Sequence, residues 1–246
     1  LRMAGNWPAG VDPGAACLRF PIGINESELA PVYLDFAASP HFLVIGDSEC
    51  GKTTLLRALV QSICAANTPD QARLIVGDYR RGMLGTIPQG YQAGYASTAP
   101  QFTQNMTDLA AYVAQRTPGP DVTPQQLKDR SWWSGPELYV IVDDYDLVAT
   151  SSGNPLHALV DQLAHARDLG FHLIVARRSG GAGRAMYEAT LNRMKELNSA
   201  ALIMSCSRDE GTLVGAVRPS PQPPGRGTYV TRAAEELIQL GWLPPV

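Results

Sequence analysis

The chain has 246 residues, of which 45% are hydrophobic and 17% charged, with a net charge of −3. That length and apolar content support a full-sized core and exclude a disordered chain. The slight acidic excess gives no general attraction to phosphate backbones or anionic lipid, which weighs against nucleic acid as a partner.

No window reaches the roughly 18 consecutive apolar residues of a membrane helix, and residues 1–5 carry no signal-peptide pattern, so a soluble piece is expected. Its start at Leu1 leads us to expect part of a longer protein. Residues 1–16, rich in Gly and Pro, read as a linker or arm ahead of a single domain over 17–246. Cys17 to Ile24 and Pro31 to Phe36 follow as two short strands, an entry hairpin turning at Asn25-Glu26-Ser27. His41 to Ile45 is an apolar strand that stops at a glycine. Thr53 to Ala66 then places Leu55, Leu56, Leu59, Val60 and Ile63 at helical spacing.

The alternation continues with a strand at Ala72 to Gly77, a helix at Phe102 to Arg116 and a strand at Leu138 to Val142. A helix at Leu156 to Leu169, a strand at Phe171 to Ala176, a helix at Arg184 to Leu197 and a strand at Ala200 to Met204 complete it. Strands that are apolar throughout, alternating with helices, imply an α/β fold whose mainly parallel sheet is covered on both faces. A Pro-rich loop at Pro219 to Pro224 and a closing hairpin of Gly227 to Thr231 and Glu236 to Leu240 end the chain.

Gly46-Asp47-Ser48-Glu49-Cys50-Gly51-Lys52-Thr53 matches G-x-x-x-x-G-K-[ST] in full, between a strand and a helix. Glycines at 46 and 51 let backbone amides face a phosphate chain, and the helix dipole favours negative charge at its N-terminus. The pattern calls for a nucleoside triphosphate, ATP with Mg²⁺ foremost. Lys52 would neutralise the β- and γ-phosphates, the Thr53 hydroxyl would ligate Mg²⁺, and Thr54 would lie beside the α-phosphate. The strand before Asp143-Asp144 ends in two carboxylates. Asp143 would hold the metal's water, and Asp144 stands where many ATPases place a Glu that polarises the attacking water. Asp is one methylene shorter, so slow hydrolysis is expected.

Other residues leave alternatives open. Asp78-Tyr79-Arg80-Arg81 and Arg177-Arg178 follow strands, on the edge where open α/β sheets bind ligands, yet charges there are also ordinary solvated loop. Arg208 and Arg226 are candidates for a trans-acting arginine finger or a contact on the adenine side. Cys50 sits by Lys52 and the loop amides, which lower a thiol pKa, or is simply a small loop residue. Trp132-Trp133 either anchors a partner or folds onto its own domain. His157, His165 and His172 are scattered and read as structural. Cys17, Cys50, Cys64 and Cys206 form no C-x-x-C pair and no metal-seating set with the histidines, so free thiols in a reducing compartment are expected.

With the phosphate loop, Val76-Gly77-Asp78-Tyr79-Arg80-Arg81, Asp143-Asp144 and Pro224-Gly225-Arg226-Gly227 in this order, nearly the whole chain resembles an FtsK/SpoIIIE-type ATPase module. More narrowly it is similar to the C-terminal module of EccC motors of type VII (ESX) secretion. The resemblance implies a RecA-like core within a larger membrane protein. Tandem ATPase modules would form a hexameric ring on the cytoplasmic face of the inner membrane. It also implies recognition of the C-terminal export signal of small helical-hairpin proteins of the WxG type. Strong ATPases of the family pair Asp with Glu where this chain has Asp144, a departure that puts vigorous turnover in doubt. A double-stranded DNA translocase is the alternative, disfavoured by the acidic balance and the lack of a basic winged-helix tail.

Overall fold

The computed structural model describes residues 15–244. Ten strands among them form one sheet: β1 (Arg19–Asn25), β2 (Pro31–Asp35), β3 (His41–Gly46), β4 (Ala72–Gly77), β5 (Gln92–Ala96), β6 (Glu137–Val142), β7 (Phe171–Arg178), β8 (Ala200–Ile203), β9 (Arg226–Val230) and β10 (Glu235–Leu240). Their spatial order is β2-β1-β10-β9-β8-β3-β7-β6-β4-β5. The run from β8 to β5 is parallel throughout. The run from β8 to β2 is antiparallel. The two hairpins expected as flanking pieces therefore pair with each other and extend the main sheet.

Every residue of β3 and β6 is buried. Alternation splits β3 between two cores: Phe42 and Val44 join the cluster under α1 (Lys52–Ala66), while Leu43 and Ile45 join the opposite one. Burial on both faces explains why these strands read as unbroken apolar runs instead of alternating ones. The α1 face is completed by the entry hairpin, whose Phe20 and Phe36 pack edge-on against Tyr139. The other face is covered by α2 (Ala99–Ala114), α4 (Tyr145–Val148), α5 (Ala166–Leu169), α6 (Ala182–Ala185) and α7 (Ala189–Glu196). A short exposed helix, α3 (Pro124–Asp129), opens with a Thr123–Gln126 capping box.

Three expectations need correction. The helix expected over 156–169 is a 3₁₀ segment at Pro155–His165 followed by α5. Its buried Leu156, Leu159, Leu163 and Ala166 recur every three or four residues, a spacing that does not separate 3.0 from 3.6 residues per turn. The helix expected over 184–197 is broken, because Glu188 turns out of helical geometry to cap α7, accepting from the amides of Thr190 and Leu191. The same carboxylate receives Asn154 Nδ2 at 2.9 Å. Finally, β5 and α3 carry no periodic apolar signal and escaped notice. Most of the expected arm over 1–16 lies outside the described residues.

Trp132 and Trp133 fold onto their own domain. Their indole nitrogens donate to Arg116 O at 2.7 Å and Asp168 O at 2.8 Å. Arg116, only 3% exposed, stacks on Trp133 with 3.9 Å from guanidinium to ring centroid. It also donates to the carbonyls of Leu169, Gly170 and Pro136. One guanidinium thus ties the end of α2 to the loops leading into β6 and β7. Removing it strands three buried carbonyls, so Arg116→Ala is expected to lower unfolding free energy by about 3 kcal/mol. Urea titration followed by tryptophan fluorescence measures this, and an unchanged midpoint would contradict the assigned role.

Candidate functional site

The loop between β3 and α1 lies at the C-terminal ends of the parallel strands, with β7 on one side and β8 on the other. Its shape is fixed from several directions. Gly46 has no room for a side chain, since a Cβ would come 2.6 Å from Cys50 Sγ. Gly51 has φ +109°, a conformation that side-chain-bearing residues rarely adopt. Asp47 faces backwards, its carboxylate accepting hydrogen bonds from the Ser179 and Ser205 hydroxyls. Its amide donates to Ser205 O at 2.7 Å. Asp47 is therefore an anchor that binds the loop to the segments after β7 and β8. Sequence reasoning missed both serines, because a small polar residue after a strand carries no distinguishing signal.

Lys52 is 6% exposed, and its Nζ donates to the carbonyls of Gly46 at 2.9 Å and Asp47 at 2.6 Å. The ammonium is thereby held across the mouth of the loop. Cys50 lies beneath it, 4% exposed, with Sγ 3.7 Å from Met204 Sδ. Burial raises the Cys50 thiol pKa more than the nearby Lys52 lowers it. The activated thiol considered for this position is thus overturned by desolvation.

The Thr53 hydroxyl donates to Asp143 Oδ2 at 2.6 Å, joining the start of α1 to the end of β6. Burial pushes the Asp143 carboxyl up to about 6; the Thr53 hydrogen bond opposes this, and the negative charge of Asp144 adds to it. A Cβ on Gly82 would stand 3.2 Å from Thr53 Cγ2 and 3.9 Å from Asp143 Oδ2, so glycine there keeps the space beside this pair open. A hydroxyl and a carboxylate at one open point suit a hard, oxygen-seeking cation. Among the described residues no group of three His, Cys, Asp or Glu side chains could hold a metal alone. A cation here would draw its remaining ligands from water and a bound anion.

Asp144 adopts the left-handed region, φ +46°. Its carboxylate lies 2.9 Å from Arg80 Nε and 3.7 Å from Arg178 Nε. Burial raises its pKa, with Arg80 the main opposing influence. Arg80 and Arg178, each left open by the sequence, thus converge on one carboxylate. Arg177 diverges: it is 4% exposed and donates to Gly180 O at 3.1 Å, bracing the turn after β7. Asp78 is also an anchor, its Oδ2 accepting from the Met83 amide at 2.7 Å and the Tyr95 hydroxyl at 2.9 Å. That pairing shapes the 79–86 loop and delivers Arg80 and Gly82 to the site.

Residues Ser48, Glu49, Gly51, Lys52, Thr53 and Thr54 line one wall of a cleft of about 460 Å³, and Arg80, Gly82, Asp143, Asp144 and Arg178 line the other. Arg226 is elsewhere, paired with Glu26 in the entry hairpin. Arg208 is exposed in a short 3₁₀ turn, at the rim of a separate polar hollow. His157 pairs with Glu188 at 3.1 Å, and buried His172 pairs with Glu137 at 3.2 Å, both away from the cleft.

The model of the FtsK/SpoIIIE family matches residues 7–98. EccC4, an ESX-4 secretion system protein of Mycobacterium tuberculosis, is 49% identical over 96% of this chain and 19% of its own length. ATPases 2 and 3 of Thermomonospora curvata EccC, solved in complex with a signal sequence peptide, align at 49% identity with a TM-score of 0.89, covering 93% of this chain and 41% of that one. A further solved ATPase, 32% identical, superposes with a TM-score of 0.85 over 96% of this chain and 91% of its own. The chain spans about a fifth of the length of the EccC4 protein it matches. Sequence, fold and cleft agree in their assignment: the chain belongs to the FtsK/SpoIIIE family of P-loop ATPases and is similar to the ATPase modules of EccC proteins from ESX, or type VII, secretion systems.

Proposed function

We propose that the cleft binds ATP with Mg²⁺ and that the chain serves as a nucleotide-held module of a type VII secretion translocase, turning ATP over slowly or not at all. The observation that carries this is the 2.6 Å contact between Thr53 and Asp143, which brings the phosphate loop and the carboxylate strand to one point. Lys52 would exchange its two loop carbonyls for β- and γ-phosphate oxygens, with the amides of Ser48 to Thr54 lining the phosphate chain. Thr53 and Asp143 would hold the metal, which would supply charge neutralisation for the bound phosphates.

Slow turnover follows from Asp144. A carboxylate that activates water must be free to accept its proton, whereas this one lies against two guanidinium groups. An ATP that stays bound stabilises the fold by mass action and leaves the module's surfaces set for recognition. Similarity to an EccC solved with a signal sequence peptide supports export-signal recognition as the module's task, beside other ATPase modules of a membrane-associated motor. No helix among the described residues is long and apolar enough to cross a membrane, so attachment would come through other parts of such a motor.

Calorimetric titration with ATP and Mg²⁺ is expected to give saturable binding that Lys52→Ala abolishes. Phosphate release at saturation should stay far below the roughly 10 s⁻¹ typical of enzymes. The double variant Arg80→Ala, Arg178→Ala should raise release severalfold by freeing Asp144. Release at motor rates in the unaltered chain would overturn the slow-turnover proposal.

Asp143 offers a second check through pH. Its pKa is raised from 3.8 to about 6, so its folded charged form is disfavoured. The chain is then most stable where Asp143 is protonated in both states, and that stability is lost as pH rises through about 6. Without Mg²⁺, Asp143→Asn should exceed the unaltered chain in stability by about 3 kcal/mol at pH 7.5, and the gap should close near pH 4. Thermal denaturation across this range measures it, and a gap independent of pH would contradict the assignment.

A further inference from the structure

Beyond Thr54 the phosphate cleft continues into a second, smaller hollow of about 210 Å³. Glu49, Gly51 and Thr54 belong to both walls, so the two spaces share one rim. Asp143, Asp144, Arg80 and Arg178 stand only in the larger space. The smaller one is walled by Leu55, Pro224, Gly225, Gln239, Leu240 and Trp242. It contains no arginine, lysine or aspartate: past the Glu49 carboxylate and Thr54 hydroxyl on the shared rim, its wall is apolar surface, one carboxamide and one indole. Trp242 is 73% exposed, an unusual placement for a large aromatic side chain.

The hollow is fastened to the phosphate loop. Gly225 N donates to Cys50 O at 2.8 Å, and Leu240 N donates to Gly225 O at 2.8 Å. These bonds join the Pro224–Gly225 turn and the end of β10 to the loop itself. Gly225 has φ +78°, and a Cβ there would stand 2.8 Å from Gln239 Nε2. Glycine is thus needed both for the turn and for the Gln239 carboxamide to lie against it. Arg57 Nη2, on α1, reaches Pro244 O at 3.5 Å, so the segment carrying Trp242 is also tied to the helix that begins at the phosphate loop.

Resting on the nucleotide reading above, we propose that this hollow is the base subsite, with Trp242 as the stacking surface and Gln239 as the group that selects adenine. A flat heterocycle leaving the α-phosphate end of the loop meets Pro224 and Leu55 as apolar walls and the indole as a ring face. Stacking on an aromatic side chain favours any base, and purines more than pyrimidines through their larger face. A carboxamide offers one donor and one acceptor. That matches the ring nitrogen and amine on one edge of adenine, whereas the corresponding edge of guanine presents two acceptors. ATP is therefore preferred to GTP through Gln239, and both exceed a bare triphosphate through Trp242.

The test compares Mg²⁺ complexes of ATP, GTP and inorganic tripolyphosphate by calorimetry, on the unaltered chain and on Trp242→Ala, Trp242→Phe, Gln239→Leu and Lys52→Ala. Trp242→Ala should weaken ATP about tenfold, leave tripolyphosphate unchanged and be rescued by Trp242→Phe. Gln239→Leu should narrow the preference for ATP over GTP. Equal ATP affinity in Trp242→Ala and the unaltered chain would overturn the base subsite, as would ATP binding no tighter than tripolyphosphate. ATP that fails to bind the unaltered chain, or binds Lys52→Ala equally well, would instead overturn the underlying nucleotide proposal.

Discussion

The hydrogen bond from Thr53 to Asp143 is the contact on which the site depends, because it fixes two elements that are not neighbours in the sheet. Thr53 belongs to the helix after β3, Asp143 follows β6, and β7 lies between those strands. Their meeting depends on the parallel order, which sends the ends of all three strands to one edge. A register shift of one residue in β6 would turn Asp143 to the other face and replace it with an apolar side chain or Asp144. The buried, two-sided packing of β3 and β6 is what holds that register.

Around this contact, acidic groups divide between anchoring and chemistry. Asp47 and Asp78 sit next to the cleft, but their oxygens are taken by serine hydroxyls, a tyrosine hydroxyl and a backbone amide. They shape the loops that carry Lys52, Arg80 and Gly82. Asp143 is the carboxylate left at the open point, and Asp144 is balanced by two arginines. A site with this division is suited to holding an anion and its cation firmly. On the proposed reading, the same ion pairs that steady Asp144 would restrain it as a base, setting retention against turnover.

Much of this was legible in the residues. The G-x-x-x-x-G-K-[ST] spacing gave the phosphate loop and its place between strand and helix, and unbroken apolar runs gave the parallel core. What escaped depended on contacts between distant segments. Ser179 and Ser205 hold Asp47 only because β7 and β8 flank β3, an order that no local pattern encodes. The break before α7 arises because Glu188 is drawn into hydrogen bonds with Tyr145 and Asn154. Strand β5 is a partly exposed edge strand with Gly94 inside it, so it lacks the apolar periodicity that marks its neighbours. For Cys50 the sequence left an activated thiol and a small loop residue both open, and burial against Met204, which raises the thiol pKa, favours the second.

Amide hydrogen exchange with and without ATP and Mg²⁺ tests the central claim most directly, since it reads out each loop in solution. Slowed exchange is predicted at residues 46–54, 80–82 and 143–144, and it should vanish in Lys52→Ala. Unchanged exchange across 46–54 at saturating nucleotide, or protection confined to other parts of the chain, would contradict the site described here.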